Sequence, residues 1–299
     1  MIGSFDELLF RVKGHSNKTV AVAAAHTYSA LEAAVEAKKE NIADSLLIGD
    51  KVYILDLLKQ EAPGFVDAFE IIDTGSDLKL AAREAVKAVH AGKADILMKG
   101  KCNTATLLRA VLDNDTGLRT GEILSDVLVY EHPERLILLS DGGINLYPDL
   151  EDKISIVRNS VRVARGLGCE VPKVAMLAAV EIVNKKMQST IDAAEITRLN
   201  RTGHIKNCIV DGPLAFDLAI SEEAARTKGY ESAVAGKADV LIVSNIEAGN
   251  IFGKALTYYC NYRVAHIVMG AKVPILIASR ADSTETKKMS ITLGVMSVL

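Results

Sequence analysis

Ala91-Gly92-Lys93-Ala94-Asp95-Ile96-Leu97-Met98-Lys99-Gly100-Lys101-Cys102-Asn103-Thr104 begins as a helix end and tight turn, passes through a short apolar run, and leaves it in a polar loop. A run of that length, polar only at its ends, reads as a parallel strand buried on both faces, with a helix before it and another after it. Its first seven residues recur as Ala235-Gly236-Lys237-Ala238-Asp239-Val240-Leu241, each copy read as a helix end, a turn and a strand entrance. The repeat points to two similarly built halves.

Outward from this stretch the same alternation continues. Candidate strands are Thr19–Ala23, Ser45–Ile48, Phe69–Ile72, Asp95–Met98, Leu136–Leu139, Val174–Ala178, Cys208–Val210, Asp239–Val243, Ile267–Met269 and Ile275–Ala278. Ten strands exceed one comfortable sheet, and 299 residues that are 49% hydrophobic can fill two cores, so the fold class is α/β with two parallel-sheet lobes. Ser76 is expected to cap a helix closed by Gly92, and Ser189 with Asp192 to form a capping box on a helix ending at Gly203. Ser221 and Ser283 read as further N-caps. No linker of biased composition marks a boundary, so pattern alone places it near Tyr130–Glu134.

With 35 basic and 38 acidic residues interspersed, for a net charge of -3, the chain has no global attraction for nucleic acid or an anionic membrane. Cys102, Cys169, Cys208 and Cys260 are far apart in sequence and read as buried free thiols, not as a metal cluster or redox pair. The first residues lack a basic region followed by an apolar stretch, and no apolar run reaches the length of a membrane span, so a cytoplasmic protein is expected.

Several catalytic engines are missing. Gly166-Leu167-Gly168 lacks the third glycine of a dinucleotide loop, and Gly249 to Gly253-Lys254-Ala255 is too short for a Walker A loop. Neither G-x-S-x-G nor H-E-x-x-H occurs. What remains are polar clusters just after expected strands, where open α/β sheets present ligands. Lys99 to Thr106 offers backbone N–H groups, a flexible Gly100, lysines and hydroxyls suited to phosphate, its bland alternative being an ordinary turn capped by Thr104. Ser140-Asp141-Gly142-Gly143-Ile144-Asn145 and Asp211 to Asp217 are each as readable as turns. Asn245-Ile246-Glu247-Ala248-Gly249-Asn250 opens a helix, and no metal spacing is convincing among these acids. Ser279-Arg280-Ala281-Asp282-Ser283 sets an arginine between an apolar strand and a helix start, a strong device for gripping two phosphate oxygens.

Taken together, six blocks resemble the phosphate acetyl/butyryltransferase family, its butyryl-transferring branch most of all. They are Ala94 to Gly100, Ser140 to Asn145, Val180-Glu181-Ile182-Val183-Asn184, Val210 to Ala215, Ile246 to Asn250 and Ser279 to Ser283. The resemblance implies two domains of the isocitrate/isopropylmalate-dehydrogenase-like type, 1–131 with 278–299 and 132–277, with the active site in the cleft between them. It also implies a homo-oligomer built on a dimer through the second domain. The implied reaction moves a short-chain acyl group directly between coenzyme A and inorganic phosphate, with coenzyme A as substrate and no cofactor or metal.

Carried over by motif, Ser279 and Arg280 hold the phosphoryl group. Lys99, Gly100, Thr104 and Arg119 are phosphate-side candidates, and Asp141, Asn145, Asp211, Glu247 and Asn250 further substrate-binding ones. The acetyl-transferring relatives place a basic aspartate six residues after the arginine, where this chain has Thr286, so Asp282 or Glu285 must take the thiol proton and Asp282 is preferred. Two rivals stay open. One is a metal- and NAD(P)-dependent hydroxy-acid dehydrogenase of the same fold, using Asp211, Asp217 and Glu247, and the other a non-catalytic acyl-CoA or acyl-phosphate binder.

Overall fold

The structure, a computed structural model, describes residues 1–13, 18–279 and 281–299. The chain forms two compact units. Phe5–Glu122 with Ala265–Leu299 is the N-terminal unit, and Ile123–Val264 with Met1–Ser4 the middle unit.

The first part of the N-terminal unit runs α1 (Phe5–Val12), β1 (Thr19–Ala23), α2 (Tyr28–Lys39), β2 (Asp44–Gly49), α3 (Lys51–Glu61), β3 (Glu70–Asp73), α4 (Leu78–His90), β4 (Ile96–Lys99) and α5 (Thr104–Val111). The middle unit follows with β5 (Ser125–His132), β6 (Arg135–Ser140), α6 (Leu150–Gly166), β7 (Lys173–Leu177) and α7 (Gln188–Arg201). It is completed by β8 (Ile209–Leu214), α8 (Phe216–Ile220), α9 (Glu222–Thr227), β9 (Val240–Ile242) and α10 (Ile246–Tyr258). β10 (Val264–Met269), β11 (Ile275–Leu276) and α11 (Thr284–Met296) then build onto the N-terminal unit.

Strand order in the N-terminal unit is β3-β2-β1-β4-β11-β10, parallel except for β10. β1 sits in the middle, with Val20 to Ala23 fully buried. α4 explains its own packing. Asp77 accepts from the Lys79 and Leu80 N–H groups, while Ala81, Ala82, Ala85, Val86, Ala88 and Val89 form one buried face. α11 is buried from Met289 to Val295 with no solvent-exposed face over that stretch, and the Ser290 hydroxyl accepts from the His266 N–H at 2.9 Å.

In the middle unit the order is β5-β6-β9-β7-β8, with β5 antiparallel to β6 and the rest parallel. Leu128, Ile137, Leu139, Leu214, Leu241 and Leu256 share one core. Each such side chain contributes about 1.5–3 kcal/mol by leaving water.

Several expectations are corrected. The boundary stretch at Tyr130–Glu134 is a hairpin: His132 pairs with Arg135 across a turn at Pro133-Glu134, which makes β5 an additional strand and keeps it with β6. The units therefore change over after Glu122 and after Val264, against the expected 131/132 and 277/278. The cap of α4 is Asp77, not Ser76, and α7 starts at Gln188, which puts Met187, with no side-chain oxygen to offer, at the cap position and Ser189 inside the helix, while Asp192 pairs with Lys153 at 2.5 Å. Ser221 and Ser283 are N-caps as read. Cys102 and Cys208 are buried, Cys169 is half-buried, and Cys260 is exposed. Among the described residues no helix is long and apolar enough to cross a membrane.

The heptapeptide repeat has a physical counterpart, although only the first copy follows a helix end. Gly92 and Gly236 both turn the chain at positive φ, +74° and +73°, a conformation that glycine adopts without strain. Three residues later, Asp95 accepts from the Thr19 N–H with its carboxylate at 2.9 Å and donates its own N–H to the Thr19 carbonyl. Asp239 does the same at Lys173, again at 2.9 Å. In each unit this aspartate clasps the first residue of the neighbouring strand. Asp95→Ala and Asp239→Ala are both expected to destabilise the fold. The loss should be about 1 kcal/mol at Asp95, 35% exposed, and about 2 kcal/mol at Asp239, 12% exposed, as measured by urea unfolding.

Candidate functional site

The five parallel strands of the N-terminal unit end on one edge, the place where an open α/β sheet holds ligands. The loop leaving β4 is pulled onto the end of β1. Gly100 and Lys101 donate their N–H groups to the Ala23 and Ala24 carbonyls, each at 2.8 Å, and a Cβ on Gly100 would lie 2.7 Å from the Ala23 oxygen. Gly100 is thus required by backbone packing. The Lys99 ammonium donates to the Gly100 carbonyl at 3.4 Å. Asn103, not Thr104, caps α5 by accepting from the Thr106 N–H at 2.7 Å, and Thr104 is the first helical residue.

β11 lies beside β4, with Ile275 opposite Leu97 and Leu276 opposite Met98, so its loop leaves the same edge next door. That loop closes on itself. The Ser279 N–H donates to the Asp282 carboxylate at 2.6 Å, the Asp282 N–H to the Ser279 carbonyl at 3.2 Å, and the Ala281 N–H to the Ser279 hydroxyl at 3.4 Å. Arg280 lies outside the described residues. Ser283 caps α11, and the Thr284 hydroxyl donates to Glu32 of α2.

Sequence reasoning passed over His26, which follows β1 at the same edge. It is buried, its Nδ1 accepts from the Asp50 N–H at 3.4 Å, and its ring meets Tyr53 edge-on at 6.0 Å. Burial first, and then the Lys101 charge, lower its pKa, while Asp50 opposes them. Arg119 is not part of this gathering. It bridges Ala271 in the turn entering β11, at the amino ends of the parallel strands, and donates to Asn114 at 2.8 Å.

In the middle unit the carboxylate of Asp141 organises the loop after β6. It accepts from the N–H groups of Gly143, Ile144 and Asn145 at 2.8, 3.0 and 3.1 Å and from the Asn145 side chain at 2.6 Å. Burial, reinforced by Asp126, nonetheless pushes its pKa up to about 6. Asn145 also donates to the Leu124 carbonyl at 2.8 Å. This loop rests on the start of α10, where Asn250 donates to the Gly142 carbonyl at 3.1 Å and Glu247 accepts from the Tyr147 hydroxyl at 3.0 Å. Asp141, Asn145, Glu247 and Asn250 are therefore brought together.

Asp211 stands apart, inside β8, where it faces Arg201 at 3.4 Å and Tyr230 at 3.3 Å. Asp217 pairs with Lys228 at 2.8 Å, so the three acids weighed for a dehydrogenase have separate partners. Among the described residues no three His, Cys, Asp or Glu side chains are grouped to hold a metal ion.

A second feature absent from the sequence reading is an apolar pocket of about 510 Å³ at the carboxyl ends of β7, β8 and β9. Leu177, Ala178, Met187, Phe216, Val243 and Phe252 line much of it, and Phe216 meets Phe252 edge-on at 4.8 Å. Its lining comes from four separate segments of the chain, and only the short-range apolar signal at each was visible.

With this geometry in place, likeness to known proteins becomes informative. Residues 69–295 match the family described as phosphate acetyl/butaryl transferase. The chain is 48% identical to the phosphate butyryltransferase of Clostridium acetobutylicum, over 99% of its own length and 98% of that protein's. It is 43% identical to the phosphate acetyltransferase of Thermotoga maritima, over 97% and 98% of the two chains. Among solved structures, a branched-chain phosphotransacylase from Enterococcus faecalis V583 superposes with a TM-score of 0.83 at 35% identity, covering 94% of this chain and 99% of the other. Matches of this extent leave one conclusion: the chain belongs to the phosphate acetyl/butaryl transferase family.

Proposed function

We propose that this protein catalyses acyl-CoA + phosphate = acyl phosphate + CoA, with butyryl or a branched C4–C5 acyl group preferred, as a cytoplasmic homo-oligomer built on a dimer. The observation that carries the reading is the likeness to a phosphate butyryltransferase along nearly the whole of both chains. The apolar pocket of the middle unit supports the longer acyl group, since it offers methylene and methyl groups a largely apolar lining. Exposed Ile251, Tyr258 and Tyr259 on and just after α10 support self-association.

In this reading a phosphate oxygen attacks the thioester carbonyl carbon, the carbon–sulfur bond breaks, and the sulfur leaves as thiolate or takes a proton. No covalent bond to the protein forms, so the chain's task is to orient two anionic substrates and to steady charge on the carbonyl and phosphate oxygens. Ser279 and Arg280 hold the phosphoryl group, with Lys99 and Thr104 on the neighbouring loop. Asp282 takes the thiol proton in the direction that consumes CoA, its carboxylate oriented by the Ser279 N–H. We assign Gly100, Asp141, Asn145 and Asp211 to building their loops and strand, and leave Glu247 and Asn250 to contact CoA.

CoA release should depend on phosphate and run faster with butyryl-CoA or isovaleryl-CoA than with acetyl-CoA. If no acyl-CoA is cleaved in a phosphate-dependent way, the reading fails. Asp282→Asn keeps an acceptor for the Ser279 N–H and removes the base, so it should slow the CoA-consuming direction with phosphate binding retained, whereas Glu285→Gln should not. The reverse pattern would move the base to Glu285. Arg280→Ala should lose about 2–4 kcal/mol of transition-state stabilisation in kcat/KM, and Arg280→Lys should recover only part of it, because an ammonium cannot grip two oxygens at once. Steady-state kinetics on folded variants decides this.

A further inference from the structure

Lys287 is a charged residue of α11 that the reaction leaves unused, and its position is unusual for a lysine. One turn into the helix, it is only 5% exposed. Its ammonium donates to the main-chain carbonyl of Asp282, five residues back, and so reaches under the loop that leaves β11. The loop is tied from three sides. Asp282 accepts from the Ser279 N–H, Ser283 accepts from the Thr286 N–H, and Thr284 donates to Glu32 of α2. To these ties Lys287 adds the one that brings a positive charge to the loop's backbone.

We infer that Lys287 is a positioning residue for phosphate: its buried ammonium pins the main chain at Asp282 and thereby holds the Ser279–Ser283 loop in the form that receives the anion. The inference rests on the assignment of that loop to phosphate made above. A donor bearing charge makes the stronger kind of hydrogen bond, and a lysine stem threads an apolar layer while delivering its head to one carbonyl. Glu32 from α2 and Asp282 from the loop are the acids facing the ammonium, and they help it keep its proton against the burial that lowers its pKa. The charge is present below that lowered pKa and is lost as pH rises through it. Phosphate affinity should therefore weaken on the alkaline side, below the ordinary lysine value of 10.5.

The test compares the wild type with Lys287→Met and Lys287→Arg. Lys287→Met should raise the KM for phosphate about tenfold, the scale of one charged hydrogen bond, with the KM for butyryl-CoA changed by less than about twofold. Lys287→Arg should restore the phosphate KM to within about threefold and, because a guanidinium does not titrate in this range, should flatten its alkaline rise. A folded Lys287→Met protein with an unchanged phosphate KM overturns the inference. So does an alkaline rise that persists in Lys287→Arg, a result that counts even if the methionine variant does not fold. Thermal shift with inorganic phosphate alone gives the comparison without turnover. A wild type that binds phosphate through Lys287 and cleaves no acyl-CoA would sink the proposed reaction and leave this inference standing, and a wild type that binds no phosphate would sink both.

Discussion

At the carboxyl end of β1 the Ala23 and Ala24 carbonyls receive the β4 loop, and the candidate phosphate edge depends on Gly100 having no side chain there. Its bare Cα allows the backbone of Gly100 and Lys101 to lie directly against those carbonyls. A Cβ on Gly100 would collide with the Ala24 oxygen and push the β4 loop, and with it the start of α5, away from β1. The edge is therefore set by main-chain contact, which is short, directional and unable to relax by changing rotamer.

The same economy governs the polar side chains. Asp141 is spent on four donors of its own loop, Asp282 on the Ser279 N–H, Asn103 on the Thr106 N–H, and Asn245 on the Ala248 N–H. Clusters that read as reactive groups after strands are in large part scaffolding that fixes N–H groups and cations in place. For a reaction in which both substrates are anions and no protein nucleophile is called for, a rigid array of donors is the useful product of such scaffolding.

This explains what the sequence could and could not convey. Short apolar runs located ten strands, nine of them because burial leaves a short-range signal and the edge strand β3 by its Ile71-Ile72 pair, and the Asp141 and Ser279 clusters were found because they follow those runs. β5 was harder to separate, since its end lies in the same stretch as the Pro133-Glu134 turn and was read as a border. The capping box at Ser189 does not form because α7 begins earlier, at Gln188, and Asp192 instead meets Lys153, 39 residues upstream, a contact no local pattern reveals. Lys287 reads in isolation as one more solvated helix lysine, and only the fold of the β11 loop over it shows otherwise. Arg119 has the right chemistry for phosphate but stands at the other edge of its sheet, a matter of topology.

In the middle unit the loop after β6 meets α10 with backbone on both sides of the contact. A Cβ on Gly142 would lie 2.8 Å from the Gly249 carbonyl carbon, and one on Gly249 would lie 2.5 Å from the Asp141 oxygen. No side chain lies between them to act as a bearing. The loop has no room to move toward the helix, so a push on it in that direction is passed through backbone to the turn that carries Glu247 and Asn250.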